Sequence, residues 1–159
     1  MTNSKIFARD AIFISNQDTQ DLVLKDTYDE LLKNGYVKGN FLGHIIEREH
    51  NFPTGLSTKT LGKNLPNIAI PHTEGEFVNK RLIVPVSLKN PVVFNNMIKP
   101  QEKLEVKFLF MLLDTHPDGQ AELLSQVMNF LAKTPEKELQ NLFSFKDPDT
   151  IYEFLLQKF

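Results

Sequence analysis

The sequence predicts an α/β fold: a central mixed β-sheet flanked by helices on both faces, folded as a single compact domain over residues 1–159. Two observations carry this reading. Segments with helical spacing precede, interrupt and follow strand-like runs. No repeat, low-complexity tract or Gly/Ser/Pro-rich linker divides the 159 residues, a length at which one domain buries roughly 70% of its unfolded surface. An α+β arrangement is the variant that the same pattern allows.

In chain order, "AIFIS" (11–15) reads as a short strand. Asn16 or Asp18 is placed to cap a helix over about 18–34, with Leu22, Leu24, Tyr28, Leu31 and Leu32 inward and Asn34-Gly35 as its stop. A second helix is expected over about 39–50, burying Phe41, Leu42, Ile45 and Ile46, while His44 and Arg48, four apart, share another face. Pro53 and Gly55 end it, and 53–67 reads as an irregular loop. "LPNIAI" is a short strand leading to His72, followed by strands at 81–88, 91–94 and 104–114. Pro85 marks 81–88 as an edge strand or as bulged. The 104–114 run alternates at Val106, Phe108 and Phe110 before turning wholly apolar, as a strand buried on both faces does. Asp118 or Gly119 opens a helix to about 132 with Leu123, Leu124, Val127, Met128 and Leu131 inward. A shorter helix over 135–143 has proline in its first turn, and a last one over 147–159 is capped by Asp147.

Composition excludes several functions. Basic and acidic side chains, 18 against 20, are mixed along the chain, with no Lys/Arg block of the kind that meets nucleic acid or an anionic membrane. Cysteine is absent, which removes disulfides, thiolate metal sites and a cysteine nucleophile together and fits a reducing compartment. The N-terminal stretch has no signal-peptide core, and the longest apolar run, "FLFMLL" (108–113), is far below the ~20 residues that cross a bilayer. A soluble, cytoplasmic and monomeric protein is expected.

The most pointed local feature is "NIAIPHTEGE" (67–76). Pro71 fixes its own φ near −65° and holds Ile70 extended. His72 is thus presented from a stiff platform at a strand end, where ligands tend to meet sheets packed by helices. Either it is a loop histidine satisfied by a backbone carbonyl, or it is a base, nucleophile or metal ligand. Metal is disfavoured: His44, His50, His72 and His116 show no HxH or HExxH spacing. There is no G-x-S-x-G elbow, no P-loop and no G-x-G-x-x-G. No cofactor is implied. Arg48 is either a solvated helix residue or a guanidinium fork aimed at phosphate. His116 reads as a turn residue, Gln120 as pointing into a site or into water, and Lys80 and Arg81 as solvated.

The stretches "EREHNFPTGL" and "NIAIPHTE", with the later "AELLSQVMNFLAK" and "FSFKDPDTIYEFL", resemble the fructose/mannitol class of IIA components of the bacterial sugar phosphotransferase system. "FPTGL" before "IAIPH" looks most like its galactitol-type members. The resemblance implies that His72 accepts a phosphoryl group from the phosphohistidine of a small phosphocarrier protein. It then passes the group to a cysteine of a IIB component, while a membrane IIC component moves the sugar. It also implies that Arg48 stabilises the phosphoryl charge. Two departures stand out. Thr73 follows the histidine where many members have glycine, and Gln120 stands where many carry a second histidine. Thr73 then donates to the phosphoryl group or caps the turn, and Gln120 lines the site as a neutral residue.

Three functions compete on these grounds: a transport phosphocarrier, a free-standing regulator whose phosphorylation state sets partner binding, and a binding domain with an idle histidine. Docking of two partners in turn calls for an apolar surface around His72, for which Ile68, Ile70, Phe77 and Val78 are rim candidates if they are not core.

Overall fold

The computed structural model describes residues 3–116 and 119–159. Its five-stranded sheet runs β1 (Phe13–Ser15), β4 (Leu82–Asn95), β5 (Lys103–Leu113), β3 (Asn67–Ala69), β2 (Gly55–Leu56) across its width. β1 is parallel to β4 and β3 to β5, while β4–β5 and β2–β3 are antiparallel, so the sheet is mixed as predicted. The longest apolar runs supply the central strands, which have neighbours on both sides. The separate strands expected at 81–88 and 91–94 are one strand, β4, whose irregularity lies between Ser87 and Val92. Pro85 sits one residue before the stretch that β1 covers, Val86 to Leu88, so β4 is an edge at Pro85 and interior only over those three residues. β2 was not expected within the 53–67 loop, nor was the short helix α1 (Asn3–Ile6) at the start of the described chain.

Helices α2 (Gln20–Lys33) and α3 (Phe41–Asn51) cover one face of the sheet, and α1, α4 (Gly119–Lys133), α5 (Glu136–Ser144) and α6 (Pro148–Lys158) cover the other. Gly35 ends α2 with φ +79°, the left-handed turn that glycine allows. Asp147 caps α6 as expected, accepting from the Thr150 N–H at 3.0 Å. Pro135 precedes α5 as its N-cap. Asp118 lies outside the described residues, and α4 begins at Gly119.

Three inward assignments differ from expectation. The stripe of α2 that meets the sheet is Val23, Leu24, Thr27 and Leu31, which turns Leu22 and Leu32 to the surface. In α4, Phe130 is buried and Met128 exposed. Along β5, Val106 joins the α2/α3 side, whereas Phe108 and Phe110 join the opposite core. The reason is a bulge: Asn67 pairs with Val106 but Ile68 pairs with Phe108, so Lys107 is an extra residue that reverses which parity faces which layer.

One buried polar contact ties α3 to the sheet edge and thereby aims the end of α3 at the end of β3. Phe41, Ile45 and Glu49 are spaced by four along the buried side of α3, so the glutamate occupies a core position. Its carboxyl accepts from the Thr54 N–H and from the Thr54 hydroxyl, both at 2.7 Å. The Thr54 carbonyl in turn accepts from the Ile70 N–H at 3.2 Å. Gly55 follows because the chain passes against β4: a Cβ there would lie 2.5 Å from the Asn95 carbonyl oxygen.

Burial pushes the Glu49 carboxyl up to about 7, against the hydrogen bonds from Thr54 and the nearby Arg48 charge, which favour the ionised form. The folded chain therefore holds a proton that the unfolded chain releases near pH 4.5. Stability from this group is highest in acid and falls as pH rises from about 4.5 to 7, by about 3 kcal/mol at about 1.4 kcal/mol per pH unit. Glu49→Gln keeps a neutral side chain that can meet both Thr54 groups. In thermal melts from pH 5 to 8 its Tm should gain on the wild type as pH rises, and a constant gap between the two would refute the assignment. Glu49→Ala, which strands the buried Thr54 N–H, should cost about 1–3 kcal/mol at every pH.

Candidate functional site

The chain leaves β3 at Ala69 and continues alongside β5 for three more residues. Proline offers no N–H, but the Pro71 carbonyl still accepts from the Leu112 N–H at 2.9 Å, and His72 forms a bridge with Leu112. The ring then folds back, with Nδ1 2.9 Å from the Ile70 carbonyl oxygen. A carbonyl only accepts, so Nδ1 carries the proton and Nε2 keeps its lone pair. His72 is half-buried, and its pKa lies below the ordinary imidazole value. Burial is the main cause; the Ile70 carbonyl opposes it, and the Arg48 charge adds to it. The result is a neutral imidazole with one free nitrogen.

Arg48 is brought to the same place by the last turn of α3. Its Nη1 lies 3.4 Å from Glu74 Oε1, and its guanidinium carbon lies 4.8 Å from the centre of the exposed Phe52 ring. Its Nε is buried with no hydrogen-bond partner. A guanidinium with an unused donor beside a neutral imidazole is suited to receive an anion on that imidazole.

The next residues are held as firmly as the ring. Thr73 is buried; its carbonyl accepts from the side-chain amide of Gln120, in the first turn of α4, and its hydroxyl donates to Glu74 Oε2 at 2.6 Å. Gly75 starts a single 3-10 turn, Gly75–Phe77, where a Cβ would lie 2.8 Å from the Asp114 carbonyl oxygen. Asp114, fully buried, pairs with Arg81 Nε at 2.8 Å, and Arg81 reaches Glu122 of α4 at 3.0 Å. Arg81 is therefore a structural tie between β4, β5 and α4 rather than a solvated charge.

Of the residues singled out in the sequence, His72, Thr73, Gln120 and Arg48 meet here, the last through Glu74. His116 is exposed, and its N–H bonds to Asp114 Oδ1 at 2.9 Å, as a turn residue. Ile68, Ile70, Phe77 and Val78 are core, because the β3 extension and the 3-10 turn face the two hydrophobic layers. Exposed apolar surface near the site comes instead from Phe52. His44 is exposed and stacks on Phe77 at 3.8 Å, and with Arg48, Phe52 and Glu74 it borders a cleft of about 300 Å³. Glu74, Glu49 and Asp114 were not foreseen. For Glu49 a signal existed, its place in the four-residue stripe of α3; for the other two only the tertiary contacts reveal the role.

Among the described residues no group of His, Asp and Glu could hold a metal ion, and no helix is long and apolar enough to cross a membrane.

No curated protein matches the chain in sequence. In structure the chain is similar to IIA mannitol from Escherichia coli, with a TM-score of 0.72 at 20% identity, covering 94% of this chain and 98% of that one. It is also similar to a solved complex of enzyme IIAMTL and phosphorylated enzyme IIBMTL from Escherichia coli (TM-score 0.73, 19% identity, 95% and 97% covered). A third similar structure is the nitrogen regulatory protein IIA-Ntr from Neisseria meningitidis (TM-score 0.65, 15% identity, 98% and 99% covered). At these identities the likeness is one of fold. The family model described as phosphoenolpyruvate-dependent sugar phosphotransferase system, EIIA 2, matches residues 5–158, nearly the whole chain, and the chain belongs to that family.

Proposed function

We propose that the protein is a phosphoryl carrier that takes a phosphoryl group on His72 Nε2 from the phosphohistidine of a small phosphocarrier protein and gives it to a cysteine of a cognate IIB component. The observation that carries this reading is the division of labour within one ring: Nδ1 is committed to the Ile70 carbonyl, which leaves the Nε2 lone pair uncommitted on a ring that feels the Arg48 charge. That the similar mannitol protein was solved with phosphorylated IIB supports the acceptor. The sugar is then moved by a membrane IIC component that this chain does not touch. The "FPTGL" and Gln120 features support a galactitol-like subgroup.

The chemistry is a displacement at phosphorus. The donor ring arrives protonated on its far nitrogen. The His72 Nε2 lone pair forms the new N–P bond as the donor's N–P bond breaks, and that electron pair returns to the donor ring, which leaves neutral. His72 takes over the positive charge, and its proton stays on Nδ1, donated to the Ile70 carbonyl throughout. In the second transfer a cysteine thiolate attacks phosphorus and the N–P pair returns to Nε2. Such loose transition states ask for positioning and charge stabilisation more than for covalent help. Arg48 supplies the charge, with its unused Nε–H as an additional donor.

Incubation with phosphoenolpyruvate, the general phosphotransferase enzyme and its phosphocarrier protein should add one phosphoryl group to the wild type and none to His72→Ala, read by intact mass at neutral pH. Equal labelling of both would move the site to another histidine; no labelling of folded wild type would leave a binding domain. A IIB protein with an active cysteine should then discharge the group, and failure to do so would favour a regulatory role. Because burial and Arg48 hold the His72 pKa down, the acid limb of the labelling rate should lie below the ordinary midpoint of about 6.5. Arg48→Gln should slow labelling by about 10²-fold, the usual scale for losing one charge-stabilising donor.

A further inference from the structure

The residues that would cradle a phosphoryl group on His72 are already occupied by an anion from the chain itself. Glu74 accepts from the Thr73 hydroxyl at 2.6 Å through one carboxylate oxygen and faces Arg48 Nη1 at 3.4 Å through the other. We infer that Glu74 is a built-in stand-in for the phosphoryl group: it holds Thr73 and Arg48 while His72 is bare, and it is displaced into water when His72 is phosphorylated. The inference rests on the carrier reading above and assigns Glu74 a positioning role within it.

Three features support displacement rather than a permanent ion pair. The Arg48 contact is a single long one rather than the bidentate fork that arginine and carboxylate form when the pair is optimised, and Arg48 Nε remains unpartnered. Glu74 is 54% exposed, so its departure strands no buried charge. The residues it holds are themselves fixed: Thr73 by burial and by Gln120, and Arg48 by the last turn of α3. The donors therefore stay in place while the carboxylate leaves.

Displacement has a chemical consequence. A phosphoryl dianion outcompetes a carboxylate for a guanidinium and a hydroxyl, but the carboxylate, tethered two residues from His72, remains as a like charge nearby. It competes for the same donors at every moment of the carrier's cycle. The phosphorylated state is thereby held less tightly than Arg48 and Thr73 alone would hold it, which suits a group that must be handed on. Glu74 thus sets the balance between accepting and releasing. Because Gly75 is pressed against the Asp114 carbonyl and Thr115, the backbone that carries Glu74 stays put, and the carboxylate moves by side-chain rotation.

The test uses Glu74→Gln, which keeps size and removes charge at an exposed position. Inorganic phosphate is titrated into the unphosphorylated protein while the His72 ring and Arg48 Nε–H signals are followed by NMR. The variant should bind phosphate about tenfold more tightly than the wild type, and the added substitution Arg48→Gln should abolish the gain. Equal phosphate affinity in wild type and Glu74→Gln overturns the inference, and so does a gain that survives the loss of Arg48. In the full relay, the equilibrium between phosphocarrier protein and this chain should shift about tenfold toward phospho-His72 in Glu74→Gln, and an unchanged equilibrium also overturns it. The phosphate titration needs no donor protein. A tenfold gain there, with no labelling of either form in the relay, would instead sink the carrier reading and leave Glu74 as the occupant of an anion site.

Discussion

Everything at the candidate site depends on how four residues, Ala69 to His72, are seated between their neighbours. The Ile70 N–H reaches the Thr54 carbonyl, the Pro71 carbonyl receives the Leu112 N–H, and the Ile70 carbonyl receives His72 Nδ1. Ordinary strand pairing would need an N–H at residue 71; proline removes that need and fixes the turn that brings the ring back on itself. The histidine's tautomer is therefore decided by backbone geometry. No carboxylate partner is required to orient it, so no negative charge competes at the nitrogen behind the ring.

The surrounding electrostatics follow a division between fixed and movable charge. Arg81 and Asp114 are locked to each other and to α4, which fixes the β5 end beside which His72 sits. Glu49, buried and only about half ionised near neutrality, fixes the approach of α3 without placing a full negative charge beside Arg48. An ionised carboxylate there would have drawn the guanidinium inward. Glu74, at the surface, is kept ionised chiefly by the hydrogen bond from Thr73, and it meets Arg48 through a single long contact. The site thus has a rigid positive partner and a mobile negative one.

Much of this was legible in the sequence because the signals were local. Pro71 before His72, the Asn34-Gly35 stop, the Asp147 cap and the long apolar runs of the central strands each act within a few residues, and each appears where expected. The relation of Arg48 to His72 came from family resemblance, since nothing in the spacing of 24 residues places them together. What escaped reading was decided at longer range. β2 is two residues recruited by β3; the parity of β5 is reversed by one extra residue, Lys107; and Arg81 looks solvated until Asp114 is found beneath it. Leu22 and Leu32 show the limit of periodicity: apolar content alone does not fix which side of α2 a sheet will cover.

The narrow outer strands bear on how such a molecule lives among its partners. β1 and β2 offer three and two residues of open ladder, and the outer side of β2 is closed by the β4–β5 hairpin tip, where the Met97 N–H bonds to the Gly55 carbonyl at 2.8 Å. A protein that exposes an apolar ring such as Phe52 and meets other proteins repeatedly risks recruiting strands from its own copies. At β1 and β2 little free backbone remains to template one, and the β4 margin beside β1 is covered over Val86 to Leu88 alone and carries Pro85, which has no N–H to offer. Short outer strands and a proline at the open stretch work against the slow, self-propagating association that open sheet margins invite.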